Sequence, residues 1–551
     1  MKSFFNKQFG NLAIAGICAL CSAHAASAPV MSATEGQLGL ASAASFRLTG
    51  GNCRDCPTPP AALWYFRDDL VAVPKEGMTG FEKKLRPQDD VRNWATGRSG
   101  QPEGSNPPLV WVGSPAVARG TLSVEGNALT GAENEVLPLT VVTRIEANRS
   151  YFNADSIKYF AARRLKARGS MDGEGRFVAR TLWPEDFRLE GKLLSPKPLR
   201  AGESLAELVR ADGGGADRPL ISRVLWQRMA GPVDLASKPV MAFVLNGAQG
   251  DDDDAHGGHF AVATGRFGPQ GEWDNWLVNN FYNLDSVSEK GIIAASLPMD
   301  AYQGDLNSGQ SWYRPSYMLV AVFKDGRVPA LYQEAIGRVF NHFYRHNFRY
   351  NHATANCTGI NIETLRSIGW NIPTQGPGDR LKAAVALPYM AIKELSVESG
   401  RKAYDYLATE VTDLYPFVGF SAAGEDLLRR IVKNSSPLTP FEQAMASDIE
   451  ALVYVRIPQF PSSRAMGQAP VASLDEYMAR TPADRSKWQI VPVPPRPFPH
   501  ELRDGENIDE DTPPSGYALA GYAGFLSMLG VGGWKVRRRR SARSRVRAHN
   551  K

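Results

Sequence analysis

Of the five cysteines in this chain, Cys357 is the only one far from the N-terminus. Cys18 and Cys21 fall in the first 28 residues. Cys53 and Cys56 form a CxxC followed by Pro57, Pro59 and Pro60. No βαβ pattern surrounds that CxxC and no second pair accompanies it. It reads as a small disulfide loop rather than a redox motif or a zinc knuckle. Cys357 is then left without a partner, and an unpaired cysteine beside the right neighbours is a candidate nucleophile. Its neighbours are Asn356-Cys357-Thr358-Gly359. Asn356 is a good N-cap. Ile360, Leu365 and Ile368 recur at roughly helical spacing, and Gly369 is a stop signal. Cys357 therefore belongs in a first helical turn, where unpaired N–H groups and the helix dipole favour thiolate over thiol.

A thiol hydrolase also needs an imidazole to carry the proton and a polar group to orient it. His259 opens a period-two run. His259, Ala261 and Ala263 lie on one face, where the small residues leave room for a helix terminus, and Phe260 and Val262 lie on the other. His259 is the first candidate base, ahead of His352 and His256. The next strand candidate, Trp276–Tyr282, holds Asn279 and Asn280. Alternation lets only one of them face the histidine, and Asn280 is the preferred one. Asn356, Tyr282, Trp312 and Arg314 are candidate substrate-binding residues, Arg314 for a carboxylate or phosphate.

The order is a histidine heading a strand, a polar residue on the next strand, then Asn-Cys opening a helix about a hundred residues later. Together with Gly257-Gly258-His259-Phe260 and Asn356-Cys357-Thr358-Gly359, this resembles the circularly permuted papain-like proteins, which include NlpC-type cell-wall peptidases and lecithin retinol acyltransferase. The resemblance covers about residues 240–372. It implies an antiparallel sheet carrying the base and the third residue, with the cysteine helix packed on it. It implies Cys357 as nucleophile, His259 as base and Asn280 or Asn279 as orienting group, with no cofactor and no metal. Cell-wall peptides are the first substrate it suggests and acyl-lipid transfer the second.

Around that segment the expected architecture is α+β. Residues 1–28 read as a signal peptide, with Lys2 and Lys7 before the apolar run Leu12–Leu20 and small-x-small sites at 23–28. Residues 33–239 read as a β-rich domain, with a helix somewhere in Asn148–Arg168. The papain-like domain at 240–372 holds strands at Val240–Leu245 and Ser316–Phe323 and a helix over Leu331–Phe343. A helical extension (373–456) ends in a helix over Thr439–Leu452. A Pro-rich linker (457–515) leads to the uncharged run Gly516–Trp534, a transmembrane anchor, and to a basic cytoplasmic tail at 535–551. The expected place is the cell envelope, with the body in the periplasm or outside and the substrate a peptide or acyl compound there.

No nucleic-acid partner is expected, although the C-terminal end also reads as a buried glycine-rich hairpin with a nucleic-acid-binding tail or as a cleavable sorting signal, and the high overall charge describes that end and not a basic groove. The formal +6 includes nine cations in the tail and two in the signal, and without those eleven the body carries −5. Two other readings compete. Asp251–Asp254 with His256 and His259 offers a loop of metal ligands for a metal-dependent hydrolase, although Gly257-Gly258 denies it the helix on which such pairs usually sit. A non-enzymatic envelope-binding protein needs none of this chemistry.

Overall fold

The computed structural model describes residues 30–502 apart from 34–35, 98–105, 146–151, 195, 213–218, 248–257, 285–290, 377, 434–437 and 462–495. The signal, anchor and tail segments and the Asp251–Asp254 loop lie outside the described residues. Among the described residues no helix is long and apolar enough to cross a membrane.

The fold is mixed α+β. Its centre is a ten-stranded sheet made of β1 (Phe46–Gly50), β2 (Leu70–Pro74), β3 (Val110–Trp111), β4 (Ile221–Gln227), β5 (Pro239–Asn246), β6 (His259–Arg266), β7 (Leu277–Asn279), β8 (Ser296–Pro298), β9 (Ser316–Phe323) and β10 (Ile449–Ile457). The order across it is β4-β10-β9-β5-β6-β7-β8-β3-β2-β1, antiparallel except at β8–β3. A six-stranded sheet takes its longest strands from Ala116–Leu122, Arg164–Met171 and Phe177–Pro184. One continuous apolar core runs through both sheets and the helices on them.

The middle strands are buried on both faces, as continuous apolar runs demand. The long helix α1 (Arg327–Tyr344), the cysteine helix α2 (Cys357–Ser367) and α6 (Pro416–Lys433) pack against the β5–β6 region. Between α2 and α6 lie a hairpin of α3 (Arg380–Lys393) and α4 (Val397–Ala408) and the short α5 (Val411–Leu414).

The sheet takes strands from both sides of residue 240. β1 to β4 come from the N-terminal region and β10 from the end of the helical extension, so the 240–372 strands have no open edge of their own. Two element expectations are corrected. The helix expected to run to Leu452 stops at Asp448, because the apolar run Leu452-Val453-Tyr454-Val455 is wanted as the strand pairing β9 with β4. The helix expected in 148–168 is limited to Ala154–Phe160. The chain turns at Ala162, whose φ is +62°, and Arg164 starts a strand.

Candidate active site

The cysteine helix begins where its cap chemistry dictates. The Asn356 side-chain oxygen accepts the N–H groups of Thr358 and Gly359, both at 2.9 Å. Its amide nitrogen donates to the carbonyls of His352 at 2.9 Å and Leu414 at 3.0 Å. Every bonding position of that side chain is used, so the cap also fixes the loop before the helix to the segment beyond α4. Cys357 takes the first helical position. Its N–H meets the Tyr350 hydroxyl at 3.4 Å.

His259 starts β6 behind Gly258, whose φ is +94° and whose missing Cβ would sit 2.4 Å from the Asn246 carbonyl. Only glycine fits there, so the position of the histidine is set by a backbone contact. The His259 Nε2 lies 2.6 Å from Asn280 Oδ1. The Asn280 amide nitrogen donates to the Ile293 carbonyl and its backbone N–H donates to Ala295 at 3.0 Å. These bonds fix which end of the amide faces the ring. An oxygen there requires the proton on Nε2, which leaves Nδ1 with its lone pair for the sulfur.

Burial pushes the Cys357 thiol upward. The charge and hydrogen bond of His259, the Phe260 N–H and the Tyr350 hydroxyl outweigh burial and bring it down from the ordinary thiol range to about 7. The Tyr350 hydroxyl is buried and held well above its ordinary range, first by burial and then by the adjacent sulfur, so it stays a donor.

A cleft of about 40 Å³ reaches the sulfur, lined by His259, Tyr282, Arg314, Tyr350, His352 and Asn356 on one side and by Tyr406 and Leu414–Pro416 on the other. That space holds a reacting group and no more. The body of a substrate must lie outside it or move the second wall.

The structure thus brings together Cys357, His259, Asn280, Asn356, Tyr282 and Arg314. It places others elsewhere. Trp312 is fully buried. Its indole donates to the Gly304 carbonyl at 3.0 Å and its ring packs on Phe160 and Phe460, so it is core and not cleft. Asn279 faces the opposite side of its strand, where Gln333, Ser296 and the Val262 carbonyl use its amide. The N–H groups of the first helical turn are not all available to an oxyanion, since Asn356 takes those of Thr358 and Gly359. The donors beside the sulfur are the Phe260 N–H, the Tyr350 hydroxyl and the Cys357 N–H, the last making only its long 3.4 Å contact with the Tyr350 hydroxyl oxygen. Tyr350, Tyr406 and Leu414–Pro416 escaped sequence reasoning. Tyr350 lies seven residues before the cysteine in a loop without periodicity, and the others arrive from beyond the hairpin.

Cys53 and Cys56 are disulfide-bonded. Among the described residues they and Asp55 form the single group with metal-ligand spacing, and the bond occupies both sulfurs. Comparison with protein-family models, with curated proteins and with solved structures finds no match.

Proposed function

We propose that this protein is a thiol-dependent acyl hydrolase or transferase of the permuted papain-like kind, working in the cell envelope on amide or ester carbonyls. The observation that carries the reading is the placing of Cys357 and His259 in one cleft, with His259 Nε2 on Asn280 Oδ1 and the Asn280 amide turned by the Ile293 carbonyl. Nδ1 of His259 takes the thiol proton. The thiolate forms a bond to the carbonyl carbon, and the developing oxyanion is met by Cys357 N–H and the Tyr350 hydroxyl. The imidazolium returns its proton to the leaving nitrogen or oxygen as that bond breaks. Water, or a second acceptor bound in the cleft, then releases the acyl group from sulfur. Arg314, with its Nε on Gln310 at 3.1 Å, is set at the cleft wall to meet an anionic group of the substrate. Peptide bonds of cell-wall material are the first substrate class and lipid acyl esters the second.

The test is to incubate the protein with small peptide amides and acyl esters, quench in acid and weigh the Cys357 peptide. The reading expects an increment equal to the acyl group on that peptide, and no turnover by Cys357→Ser. Turnover that survives in Cys357→Ser, or an acyl group carried on another residue, refutes it.

A further inference from the structure

The α3–α4 hairpin is packed inside out. Its inward face uses small residues. Gly400 lets the helices approach until a Cβ there would sit 2.4 Å from the Leu387 carbonyl and 2.9 Å from the Ala391 methyl. The only buried residues of α3 are Ala383 and Pro388, and of α4 only Gly400. The large apolar residues point the other way. Leu381, Val385, Tyr389 and Ile392 follow one another at steps of four, four and three, so they form one stripe. They are 78%, 46%, 62% and 68% exposed. At the tip Leu395 is 93% and Val397 78% exposed. The chief packing partner of each helix is the other, so the hairpin stands off the body. A stripe of this kind on an arm of this kind needs an apolar partner.

Three observations favour a lipid surface. The charged residues within α3 are Arg380, Lys382 and Lys393, all cations, with acids only at its caps, Asp379 (paired with Lys382 at 3.0 Å) and Glu394, although the body as a whole is acidic. Cations flanking an apolar stripe suit a bilayer with anionic headgroups. The chain also holds the uncharged run Gly516–Trp534, separated from Leu502 by thirteen residues. Thirteen extended residues reach at most about 45 Å. The chain just before Leu502 is fastened to the body, with Phe498 stacked on His346 at 4.1 Å and Arg496 paired with Asp68 at 2.9 Å. A membrane holding that run would therefore lie within about 45 Å of Leu502, close to the body that carries the arm.

We propose that the α3–α4 hairpin is a membrane-docking arm, inserting Leu381, Tyr389, Ile392 and Leu395 among the lipids of an anionic bilayer. Its base is the second wall of the cleft. Tyr406 of α4 lines the cleft, and Gly378 closes against the Ala408 carbonyl, where a Cβ would be 2.0 Å away. Tyr406 and the tip are about eleven residues apart, or about 16 Å along the helix. Docking the arm sets the cleft just above the headgroups and bears on the wall that must move to admit a substrate. The docking itself stands apart from the thiol chemistry. Only its use, to present lipid-borne acyl groups to Cys357, rests on the proposed function.

The experiment uses the full chain on phosphatidylcholine–phosphatidylglycerol vesicles. Ile392→p-benzoylphenylalanine is photolysed beside a control, Val124→p-benzoylphenylalanine, at a 70% exposed position in the turn after the strand Ala116–Leu122. The arm predicts lipid adducts at position 392 about tenfold or more above position 124. It also predicts that Leu381→Gln, Tyr389→Gln, Ile392→Gln and Leu395→Gln together lower turnover of a vesicle-borne acyl ester by about tenfold, with soluble thiol probes labelling Cys357 as before. Equal adduct yields at the two positions, or crosslinks from 392 to a second copy or another protein in place of lipid, overturn the proposal. Lipid adducts at 392 on a protein whose Cys357 proves inert would leave the arm standing and sink the enzyme.

Discussion

Replacing His259 with alanine makes two opposed changes at Cys357, and their sizes decide which measurement is informative. The thiol sits at about 7 because the imidazole, the Phe260 N–H and the Tyr350 hydroxyl together outweigh burial. His259 is the foremost of those three. Without it, burial is opposed only by the Phe260 N–H and the Tyr350 hydroxyl, and a full return to the ordinary thiol value is a rise of about two units. At pH 7 the thiolate fraction then falls from about one half to about one in a hundred, some fiftyfold. A more basic thiolate is also a better nucleophile. With a Brønsted slope of about 0.4–0.5, two units return about six- to tenfold. The net loss of alkylation rate at pH 7 is therefore only about five- to eightfold, too small to assign a role. The midpoint of the pH–rate profile moves by the full two units or so. The assay is iodoacetamide labelling of Cys357 from pH 5 to 10 on the parent and on His259→Ala, each checked for an unchanged thermal midpoint. The parent should rise through a midpoint near 7, and the variant should still be rising at 9. Superimposable profiles, or a parent midpoint in the ordinary thiol range, refute the pairing of the two residues.

Two further outcomes follow from the same bonds. Asn280→Ala leaves a buried His259 nitrogen and the Ile293 carbonyl without a partner; at about 1–3 kcal/mol it should cut acyl-ester turnover by about 5- to 150-fold, and Asn280→Gln should not restore the fixed tautomer. Asp413, Glu363 and Glu410 share one guanidinium, Arg366, and Asp413 has the longest contact at 3.3 Å against 2.8 and 2.7 Å. Burial first, then Glu363 and Glu410 against the pull of Arg366, raise its carboxyl to about 8, so the folded protein holds a proton that the unfolded chain releases near pH 4. Stability must then fall as pH rises between about 4 and 8, by an amount on the order of a few kcal/mol, and Asp413→Asn should flatten that slope in urea melts while raising stability at pH 8.

The parts of this site that were legible in the sequence are those fixed by local chemistry. An N-cap and the two N–H groups it satisfies lie within four residues, so Asn356 announces the helix start and hence the place of Cys357. Strand alternation separates Asn280 from Asn279 without knowledge of what each faces. What was not legible is what distant chain brings. Trp312 beside Arg314 looks as much like a groove residue as its neighbour. Only the arrival of Phe160 and Phe460, one from far upstream and one from far downstream, buries it. The cleft's second wall comes from residues 406–416, whose pattern says helix and turn and nothing about where they go. The start of β10 reads as a helix end because its pairing with β4 is set by the sheet edge, not by its own sequence.

The first two hundred residues also bear on the site, through a buried row of charges. Lys166 and Arg168 leave the six-stranded sheet and cross to the loop and helix that follow β6 and β8. Lys166 Nζ lies 2.6 Å from Asp274 and 2.7 Å from Asp300, and Arg168 Nε lies 2.8 Å from Asp300. Burial would push the Asp274 carboxyl up, but Lys166 foremost, with Arg119 and Arg168, holds it below its ordinary range. Asp300 is wholly buried and stands in the first turn of Met299–Gly304. The same short helix carries Tyr302, whose hydroxyl donates to Asn246 and whose ring faces His259 at 6.4 Å. Removing one side of such a buried pair costs about 3–5 kcal/mol, because the charge left behind has no water to turn to. Cutting the chain before residue 240 would strand two carboxylates at once and strip β1–β4 from the sheet. The strand-rich N-terminal region is therefore part of the scaffold on which His259 rests, joined to it through Asp300 and the short helix that carries Tyr302.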